Sequence, residues 1–210
     1  MNKITAIITA GGLSTRFGSN KLLEKIGKYT VIETTIMKFI DIADEIIIPA
    51  TKETEEFILK SGIYNKKIKF APNGKTRQES VYNGILACCD TEIVLIHDGA
   101  RPYISKETIL ETIEMTKLHK AVVAGKMAVD TIKVVKNGKV VETLDRNTIF
   151  HAQTPQAFEY NLIKKIHEKY KNIQTFTDDC AMAEAEGINP YIVISKGNND
   201  KITIKEDIKS

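Results

Sequence analysis

A glycine-containing loop near the amino terminus carries the first residues suited to chemistry. It follows an apolar run and combines small residues with two cations: Ala10, Gly11, Gly12, Arg16 and Lys21. Glycines let backbone N–H groups approach phosphate oxygens, and the cations can neutralise phosphate charge. The loop is not a Walker motif, because no Gly-Lys-Ser/Thr follows, and Ser14 interrupts the G-x-G-x-x-G dinucleotide pattern. It therefore indicates a phosphate site of another kind.

Two later segments place polar residues where open α/β sheets bind ligands, beyond the carboxyl ends of strands. Residues 73–81 form a turn into a helix that contains Gly74 and Ser80, and helix N–H groups favour an anion or a polar base edge. Residues 97–102 follow the clearest apolar run and include Asp98, which can serve ribose hydroxyls or a phosphate-bound metal. Each segment also has an interpretation without a ligand. Residues 73–81 could be an ordinary start of a helix, and Asp98 could be a turn or helix-entry residue.

The basic residues are strongly biased toward lysine. Only four of the 30 basic residues are arginines, namely Arg16, Arg77, Arg101 and Arg146. A planar guanidinium suits bidentate phosphate or carboxylate recognition better than a lysine ammonium does. All four arginines are therefore candidates for anion recognition, although each could instead form a structural ion pair.

Size and composition favour a single domain over residues 1–210. The chain is 42% hydrophobic and 27% charged with a net charge of +3, which is typical of a folded domain and too weak to indicate nucleic-acid binding. Its three cysteines form no C-x-x-C motif and predict a reduced, cytoplasmic compartment. The apolar run Ile4–Ala10 is too short for a signal peptide core or a membrane span. We therefore expect a cytoplasmic protein with small-molecule partners and neither nucleic acid nor membrane.

Hydrophobic periodicity predicts the elements that must position these loops. The expected strands are Ile4–Thr9, Glu45–Ile48, Lys67–Ala71, Glu92–Ile96, Ala121–Ala124 and Tyr191–Ser195. The expected helices are Thr30–Ile40, Thr51–Lys60, Gln78–Cys88, Ser105–Leu118, Phe158–Tyr170 and Asp178–Glu186. This alternation is typical of a Rossmann-like, doubly wound, mostly parallel α/β sheet with helices on both faces. Two β runs around Asn137-Gly138 interrupt it and predict a projecting β-hairpin arm at about 130–152.

Taken together, the motifs resemble the 2-C-methyl-D-erythritol 4-phosphate cytidylyltransferase family of the non-mevalonate isoprenoid pathway. The segments that carry the resemblance occur in the family's order, and they are the glycine loop, residues 74–81, 97–102, 130–133, 153–156, 177–178 and 201–203. The resemblance implies transfer of CMP from CTP to methylerythritol 4-phosphate with release of pyrophosphate. It covers residues 9 to 207, nearly the whole chain.

The resemblance also implies a role for each matched residue. The catalytic residues, which would stabilise charge on the reacting phosphates, would be Arg16 and Lys21. The CTP-binding residues would be Ala10, Gly11, Gly12, Gly74, Ser80, Asp98 and Gly99. The polyol-phosphate-binding residues, some of them acting across a homodimer interface built by the arm, would be Arg101, Thr131, Arg146, Thr154, Thr177 and Lys201. Mg²⁺ would accompany CTP, held by Asp98 or by the CTP phosphates alone.

Some positions depart from the family pattern. Asn73 and Ser14 stand where glycine is common, Gly99 stands where alanine is common, and a charged residue precedes Lys201 where isoleucine is usual. The last of these could alter the setting of Lys201. The chain also ends at Ser210, where relatives usually continue into a terminal helix.

Three other functions compete with this interpretation, and a dehydrogenase is weaker still, because the dinucleotide glycine pattern fails and no acidic residue is suitably placed after the second strand. A ribitol 5-phosphate cytidylyltransferase would share fold and chemistry, but residues 75–81 and 97–102 look more like the methylerythritol branch. Nucleotidyl transfer to molybdopterin would share the glycine loop but not the hairpin or residues 153–156. A non-catalytic nucleotide-binding relative is the alternative from another class, and the joint presence of the four cations Arg16, Lys21, Arg146 and Lys201 argues against it.

Overall fold

A seven-stranded sheet is the framework of the molecule. The computed structural model describes residues 3–12, 17–173 and 175–208. The strands of the described chain, including those outside the central sheet, are β1 (Ile4–Thr9), β2 (Lys25–Ile26), β3 (Tyr29–Thr30), β4 (Glu45–Ala50), β5 (Ile68–Pro72), β6 (Ile93–Asp98), β7 (Ala121–Met127), β8 (Lys133–Lys136), β9 (Lys139–Thr143), β10 (Phe150–Glu159) and β11 (Tyr191–Ile194). The central sheet has the order β11-β7-β10-β6-β1-β4-β5. Every neighbouring pair in it is parallel except the two that involve β10, which confirms the predicted mostly parallel sheet.

Helices cover both faces of this sheet. They are α1 (Val31–Phe39), α2 (Lys52–Lys60), α3 (Arg77–Ala87), α4 (Lys106–His119), α5 (Tyr160–Tyr170) and α6 (Asp179–Glu184). The apolar faces of α1, α2 and α4 pack on one side of the sheet, against residues such as Ala6 and Ile8 of β1. Those of α3, α5 and α6 pack on the other side, against Ile7 and Val94. Alternate residues of β1 thus enter opposite cores, which confirms the doubly wound architecture.

The predicted hairpin is present and stands apart from the central sheet. Strands β8 and β9 pair only with each other in the described part of the chain, and every one of their residues is exposed. Asn137 and Gly138 both have positive φ at the turn, as a two-residue hairpin turn with native strand twist requires. The hairpin therefore forms an arm within the predicted range of about 130–152.

Strand β10 was missed by the periodicity argument. Polar residues and Pro155 interrupt its apolar pattern, and its register shifts between Ala152 and Gln156. A proline in a central strand is tolerated at such an irregularity. The predicted helix beginning at Phe158 also starts later, because β10 continues to Glu159.

Among the described residues, no helix has both the length and the apolar character needed to cross a membrane.

Candidate active site

A cleft of about 410 Å³ opens where β1 and β6 end, bounded by the glycine loop and by the start of α3. Strand β1 ends at Thr9 and β6 at Asp98, and both residues line the cleft. The lining includes many of the residues predicted to bind or act on substrate, namely Gly11, Gly12, Lys21, Gly74, Ser80, Asp98, Gly99 and Lys201. Segments distant in sequence thus meet at the carboxyl edge of the sheet, as expected for this architecture.

The glycine loop approaches the turn before α3 very closely. A Cβ on Gly11 would lie 1.5 Å from Oδ1 of Asn73, so a side chain here would displace the facing residue. Asn73 in turn donates from Nδ2 to the carbonyl of Gly11 at 3.4 Å. Ala10, just before, is buried, and its N–H donates to the carbonyl of Pro49 at 3.0 Å. The N–H of Ala10 is therefore already used within the sheet.

Of the two predicted catalytic cations, the structure describes one. Arg16 lies outside the described residues. Lys21 begins a short 3₁₀ turn whose preceding residue, Asn20, caps it by accepting from the N–H of Leu22. Lys21 Nζ donates to the carbonyl of Ile202 at 2.8 Å, which ties the glycine loop to the carboxy-terminal segment. This contact brings Lys21 and the neighbouring Lys201 to the same cleft.

The turn before α3 is organised around the hydroxyl of Ser80. Ser80 Oγ accepts from the N–H of Gly74 at 3.0 Å and lies within donating distance of the Thr76 carbonyl and Asn73 Oδ1. Thr76 is the N-cap of α3 and accepts from the N–H of Glu79. A Cβ on Gly74 would lie 2.5 Å from the backbone nitrogen of Ser80, so the turn requires glycine. The turn and the first residues of α3, from Gly74 to Arg77, consequently line the cleft.

Three cations surround the carboxylate of Asp98. Lys201 Nζ lies 2.9 Å and Arg101 Nε 3.3 Å from its Oδ2, while Arg77 Nε lies 3.6 Å from its Oδ1. The side chain of Asp98 is only 9% exposed. Burial alone would raise its pKa, but the charges of Lys201, Arg77 and Arg101 outweigh that effect and hold the pKa well below its usual value. Asp98 is therefore ionised, and the cleft wall around it remains cationic.

Arg77 connects Asp98 to a second buried carboxylate. Its Nη1 donates to Asp179 Oδ2 at 2.7 Å, and its side chain also lines the cleft. Burial opposes the charge of Arg77, but Asp179 and Asp98 raise its pKa above the usual value. Arginine scarcity had marked Arg77 as an anion-recognising candidate, whereas no sequence signal identified Asp179 as its partner. Arg77 therefore forms a structural ion pair, which was the alternative for each arginine, and it also faces the cleft.

A buried histidine lies beneath Asp98. His97 Nε2 lies 3.1 Å from the carbonyl of Arg101, and its Nδ1 lies 3.1 Å from Thr154 Oγ1. The same hydroxyl accepts from the N–H of Asp98 at 3.1 Å, so its own hydrogen points to Nδ1 and the imidazole carries its proton on Nε2. Complete burial lowers the pKa of His97 to about 4. His97 is therefore a neutral support for the strand end.

Arg101 and Asn199 hold the carboxy-terminal segment in place beside the cleft. Arg101 Nη1 donates to the carbonyl of Asn199 at 2.8 Å. Asn199 is fully buried, and its Nδ2 donates to the carbonyl of Thr154 at 2.8 Å and to Gln153 Oε1 at 3.1 Å. These bonds hold the segment that carries Lys201 against β10. Sequence reasoning did not select Asn199, because an asparagine in a loop has no distinctive pattern.

The remaining predicted residues are not gathered at this cleft. Thr131 and Arg146 are exposed on the arm, where Arg146 Nη1 donates to the carbonyl of Val129 at 2.7 Å. Thr177 is exposed just before α6. Thr154 lies close to the cleft but is buried, and its hydroxyl serves Asp98 and His97. Their predicted contacts with a polyol phosphate stay predictions.

The described residues hold no cluster of three histidine, cysteine, aspartate or glutamate side chains suited to a metal ion. Within the described lining of the cleft, Asp98 is the single carboxylate. Hard divalent cations prefer oxygen ligands, and Mg²⁺ is commonly held by one or two carboxylates together with substrate phosphates. The residues therefore fit a cation that arrives with a phosphorylated ligand rather than one bound by the protein alone.

Chemically, the cleft suits a polyanion. Lys21, Arg77 and Lys201 line it with positive charge, and the start of α3 adds N–H donors and the positive end of a helix dipole. The cleft contains one buried anion, Asp98, whose charge is already matched by surrounding cations. The cations of the site, Lys21, Arg77, Arg101 and Lys201, outnumber the two buried carboxylates Asp98 and Asp179, so positive charge remains for phosphate groups.

Comparisons of this chain with known proteins all point to one family. The chain matches the model of the 2-C-methyl-D-erythritol 4-phosphate cytidylyltransferase family over residues 4–210. It is 43% identical to the protein of that name from Clostridioides difficile, over 97% of this chain and 90% of the relative. It is 38% identical to the protein of that name from Clostridium novyi, over 99% of this chain and 94% of the relative.

Solved structures agree with the sequence relatives. The structure of 4-diphosphocytidyl-2C-methyl-D-erythritol synthase from Anaerococcus prevotii has a TM-score of 0.88 at 33% identity, covering 99% of this chain and 93% of that one. The structure of 2-C-methyl-D-erythritol 4-phosphate cytidylyltransferase from Francisella tularensis has a TM-score of 0.83 at 32% identity, covering 98% and 96%.

Proposed function

The chain belongs to the 2-C-methyl-D-erythritol 4-phosphate cytidylyltransferase family, and from this membership we propose how its own residues carry out the reaction. The enzyme is a nucleotidyltransferase that transfers CMP from CTP to 2-C-methyl-D-erythritol 4-phosphate. The products are pyrophosphate and CDP-methylerythritol, an intermediate of the non-mevalonate isoprenoid pathway. The observation that carries our assignment of roles is the cationic cleft at the ends of β1 and β6.

In the proposed reaction, a phosphate oxygen of the acceptor attacks the α-phosphorus of CTP. A new oxygen–phosphorus bond forms, and the bond from the α-phosphorus to the bridging oxygen of the β-phosphate breaks. Phosphate oxygens are ionised near neutral pH, so the attack needs no general base. The protein contributes by bringing two polyanions together and by neutralising the negative charge that develops on the reacting phosphates.

Lys21 and Arg16 are the proposed catalytic residues. Lys21 supports this role because it lines the cleft and its Nζ is held by the carbonyl of Ile202, which limits the positions its charge can occupy. A preorganised cation stabilises a transition state without reorganising during the reaction. Arg16 is assigned by family resemblance, since it lies outside the described residues.

CTP is proposed to bind between the glycine loop and the start of α3. Gly11, Gly12 and Gly74 all line the cleft, and the side chain of Asn73 joins the glycine loop to the turn through its bond to the Gly11 carbonyl. Ser80 organises the turn that would read the cytosine. Ala10, Asp98 and Gly99 complete the proposed nucleotide site, with Asp98 on the ribose and phosphate side.

The acceptor phosphate is proposed to lie toward Lys201 and Arg101. Both cations are held close to Asp98, and Lys201 also lines the cleft. The proposed contributions of Thr131 and Arg146 require a second copy of the chain, because both residues lie on the exposed arm. Thr154 and Thr177 complete the proposed set of polyol-phosphate contacts.

Mg²⁺ is the proposed cofactor. The ion would be held chiefly by the CTP phosphates, with Asp98 as the protein ligand that the cleft can offer. When bound, it would reduce the repulsion between the triphosphate and the attacking phosphate. Arg77 and Arg101 would then retain their contacts with Asp98 and orient its carboxylate.

We further propose a homodimer that works in the cytoplasm on these small-molecule substrates. The dimer is supported by the fully exposed arm, since an isolated two-stranded hairpin has little stability of its own in water. The cytoplasmic location is supported by three free cysteines, Cys88, Cys89 and Cys180, which are typical of a reducing compartment.

Pyrophosphate release tests the substrate assignment. The enzyme is incubated with Mg²⁺ and CTP and with either methylerythritol 4-phosphate or ribitol 5-phosphate as acceptor. We expect rapid release with methylerythritol 4-phosphate and only background release with ribitol 5-phosphate. Rapid release with ribitol 5-phosphate alone would reassign the acceptor. Release with neither, from folded protein that binds CTP, would contradict the proposed reaction.

A further inference from the structure

A buried row of three side chains runs from the interior of α5 to the cleft. His167 Nε2 lies 3.0 Å from Asp179 Oδ1, and Asp179 Oδ2 accepts from Arg77 Nη1 at 2.7 Å. The side chains of His167 and Asp179 are 0% and 1% exposed, whereas Arg77 is 31% exposed and lines the cleft. The row of His167, Asp179 and Arg77 therefore links a residue remote from solvent to the proposed substrate site.

The middle member of the buried row is held from three directions. One carboxylate oxygen of Asp179 accepts from His167 and the other from Arg77, while its backbone N–H donates to Gln156 Oε1 at 3.1 Å. Because both oxygens are occupied by different donors, rotation of the carboxylate would break at least one bond. The guanidinium of Arg77 is consequently anchored at one end by Asp179, and its Nε faces Asp98.

The setting of His167 indicates that its bond to Asp179 is its main polar function. The ring stacks on Tyr82 with centroids 6.0 Å apart and lies on a helix whose neighbouring buried residues are Ile163 and Ile166. Its Nδ1 is buried and has no hydrogen-bond partner in the part of the chain that the structure describes. Burying an unpaired polar atom is unfavourable, and a leucine would fill apolar surroundings without that cost. The cost of burying Nδ1 is offset by the hydrogen bond that His167 Nε2 donates to Asp179.

We propose that His167 and Asp179 are positioning residues for nucleotide binding, acting through Arg77. The inference rests on the proposed function, because it assumes that the cleft lined by Arg77 holds CTP. With the carboxylate of Asp179 fixed by His167, the guanidinium keeps one orientation against Asp98 and presents its charge to the nucleotide. Without the His167 donor, the carboxylate can rotate and Arg77 samples other orientations. A small misplacement of a binding group is enough to weaken the productive complex.

The test uses steady-state kinetics of the enzyme with CTP and methylerythritol 4-phosphate. His167→Leu removes the donor, and His167→Gln supplies an amide N–H that reaches about as far as imidazole Nε2. We expect His167→Leu to raise the KM for CTP about tenfold, less than the roughly 10²-fold that a misplacement of about 1 Å can cost, with kcat reduced less than KM is raised. We expect His167→Gln to stay close to wild type. Ile166→Val, a conservative change in the same helix, is the control for general loosening and should leave KM unchanged.

A second set of variants shows whether the effect passes through Arg77. In an Arg77→Gln background, His167→Leu should change the KM for CTP by less than about twofold, because the group that it positions is already absent. The same tenfold change in both backgrounds would overturn the proposal. So would a fall in kcat at unchanged KM, since that is what a smaller folded fraction produces.

Two further outcomes are covered by the same assay. If His167→Leu does not fold, His167→Asn replaces it, because its amide is too short to reach Asp179. Asn should then raise the KM while Gln does not, and equal behaviour of these two variants would overturn the proposal. Absence of CMP transfer by the wild-type enzyme would instead contradict the proposed function itself, and with it the role of the buried row.

Discussion

At the scale of single residues, the site depends on opposite charges held at low exposure. Asp98 stays ionised because Lys201, Arg77 and Arg101 surround it, although its burial favours the neutral acid. The cations in turn keep fixed positions because the carboxylate anchors them. Such mutual anchoring provides preorganised charge, which is the main contribution that this reaction type needs from the protein.

Lys21→Ala tests the proposed catalytic cation. We expect kcat to fall about 10²–10³-fold, the loss found when one preorganised charge-stabilising donor is removed. The thermal melting temperature is measured alongside, so that a loss of turnover is not mistaken for a loss of folded protein. Lys38→Ala, on the exposed face of α1, is the matched control and should keep wild-type turnover. Near-normal turnover of Lys21→Ala would remove this residue from the mechanism.

His97 predicts a window of pH-dependent stability. Its folded-state pKa of about 4, set by burial, lies below the value of about 6.5 in unfolded chains. Between these two pH values the unfolded state binds a proton at His97 that the native state does not bind. The stabilising contribution of neutral His97 is therefore fully present above about pH 6.5 and is lost as the pH falls toward 4. We expect the free energy of unfolding to fall by up to about 3 kcal/mol across this window from this residue alone.

Urea unfolding between pH 7 and 4 measures that effect of His97. His97→Gln removes the titrating group, so the fall in the free energy of unfolding with decreasing pH should become shallower whatever the variant's absolute stability. His151→Gln removes an exposed histidine of β10 and should retain the wild-type dependence. Identical pH dependence in His97→Gln and wild type would show that another group dominates this window.

At the scale of elements, the start of α3 illustrates how backbone geometry prepares a binding surface. The helix begins at Arg77 with Thr76 as its N-cap, and the preceding turn folds back so that the N–H of Gly74 reaches Ser80. Exposed N–H groups at a helix start attract anions and polar base edges. The hydrogen bonds within the turn therefore fix the backbone that lines the cleft at the start of α3.

Gly74→Ala tests the geometry of that turn. The added Cβ would lie 2.5 Å from the backbone nitrogen of Ser80, so the turn must shift and its N–H groups must move with it. We expect the KM for CTP to rise by about 10- to 10²-fold, since a misplacement of about 1 Å can cost as much as 10²-fold. Gly62→Ala is the matched control, because a Cβ there meets nothing within 4 Å. An unchanged KM for CTP in Gly74→Ala would exclude this turn from the nucleotide site.

At the scale of the whole molecule, the arm is the feature that a single copy leaves unexplained. Its exposed side chains include Val135, Val140 and Val141, each nearly 60% exposed. Valines on a free hairpin lack the packing that would stabilise it, whereas a second copy could cover them. The proposed dimer would also bring Arg146 toward a neighbouring cleft.

Val135→Asp combined with Val140→Asp tests the arm as the dimer interface. We expect the double variant to sediment as a monomer in analytical ultracentrifugation, because two buried charges without counter-ions would oppose association. Its KM for the acceptor should rise, since Arg146 could no longer act across the interface. Leu118→Asp, which changes an apolar side chain 70% exposed on α4, should remain dimeric. A double variant that still dimerises would place the interface elsewhere.

Much of the architecture was predictable from local patterns. Alternating apolar strands and amphipathic helices specify a doubly wound parallel sheet, because each element must bury its apolar face against its neighbours. Asn137-Gly138 specified the hairpin through the backbone conformation that its turn requires. Glycines and cations after β1, and Asp98 after β6, indicated a phosphate site, since parallel strands end at one edge.

Other features depended on contacts between segments distant in sequence. Strand β10 enters between β6 and β7 as the antiparallel member of the sheet, although its own residues are partly polar. Its Thr154 and Gln156 then support Asp98 and Asp179 through hydrogen bonds. Local periodicity could not reveal this strand, because its pairing is stabilised by neighbours rather than by its own propensity.

By itself, the sequence determined the fold class, the family and the loops that meet at the cleft. Only the tertiary structure decided which charges pair: Arg77 with both Asp98 and Asp179, and Lys201 with Asp98. The physical reason is that ion pairing depends on distance and burial, and both arise only when separate elements pack. A residue type suggests what chemistry is available, and the packed structure decides which partner it meets.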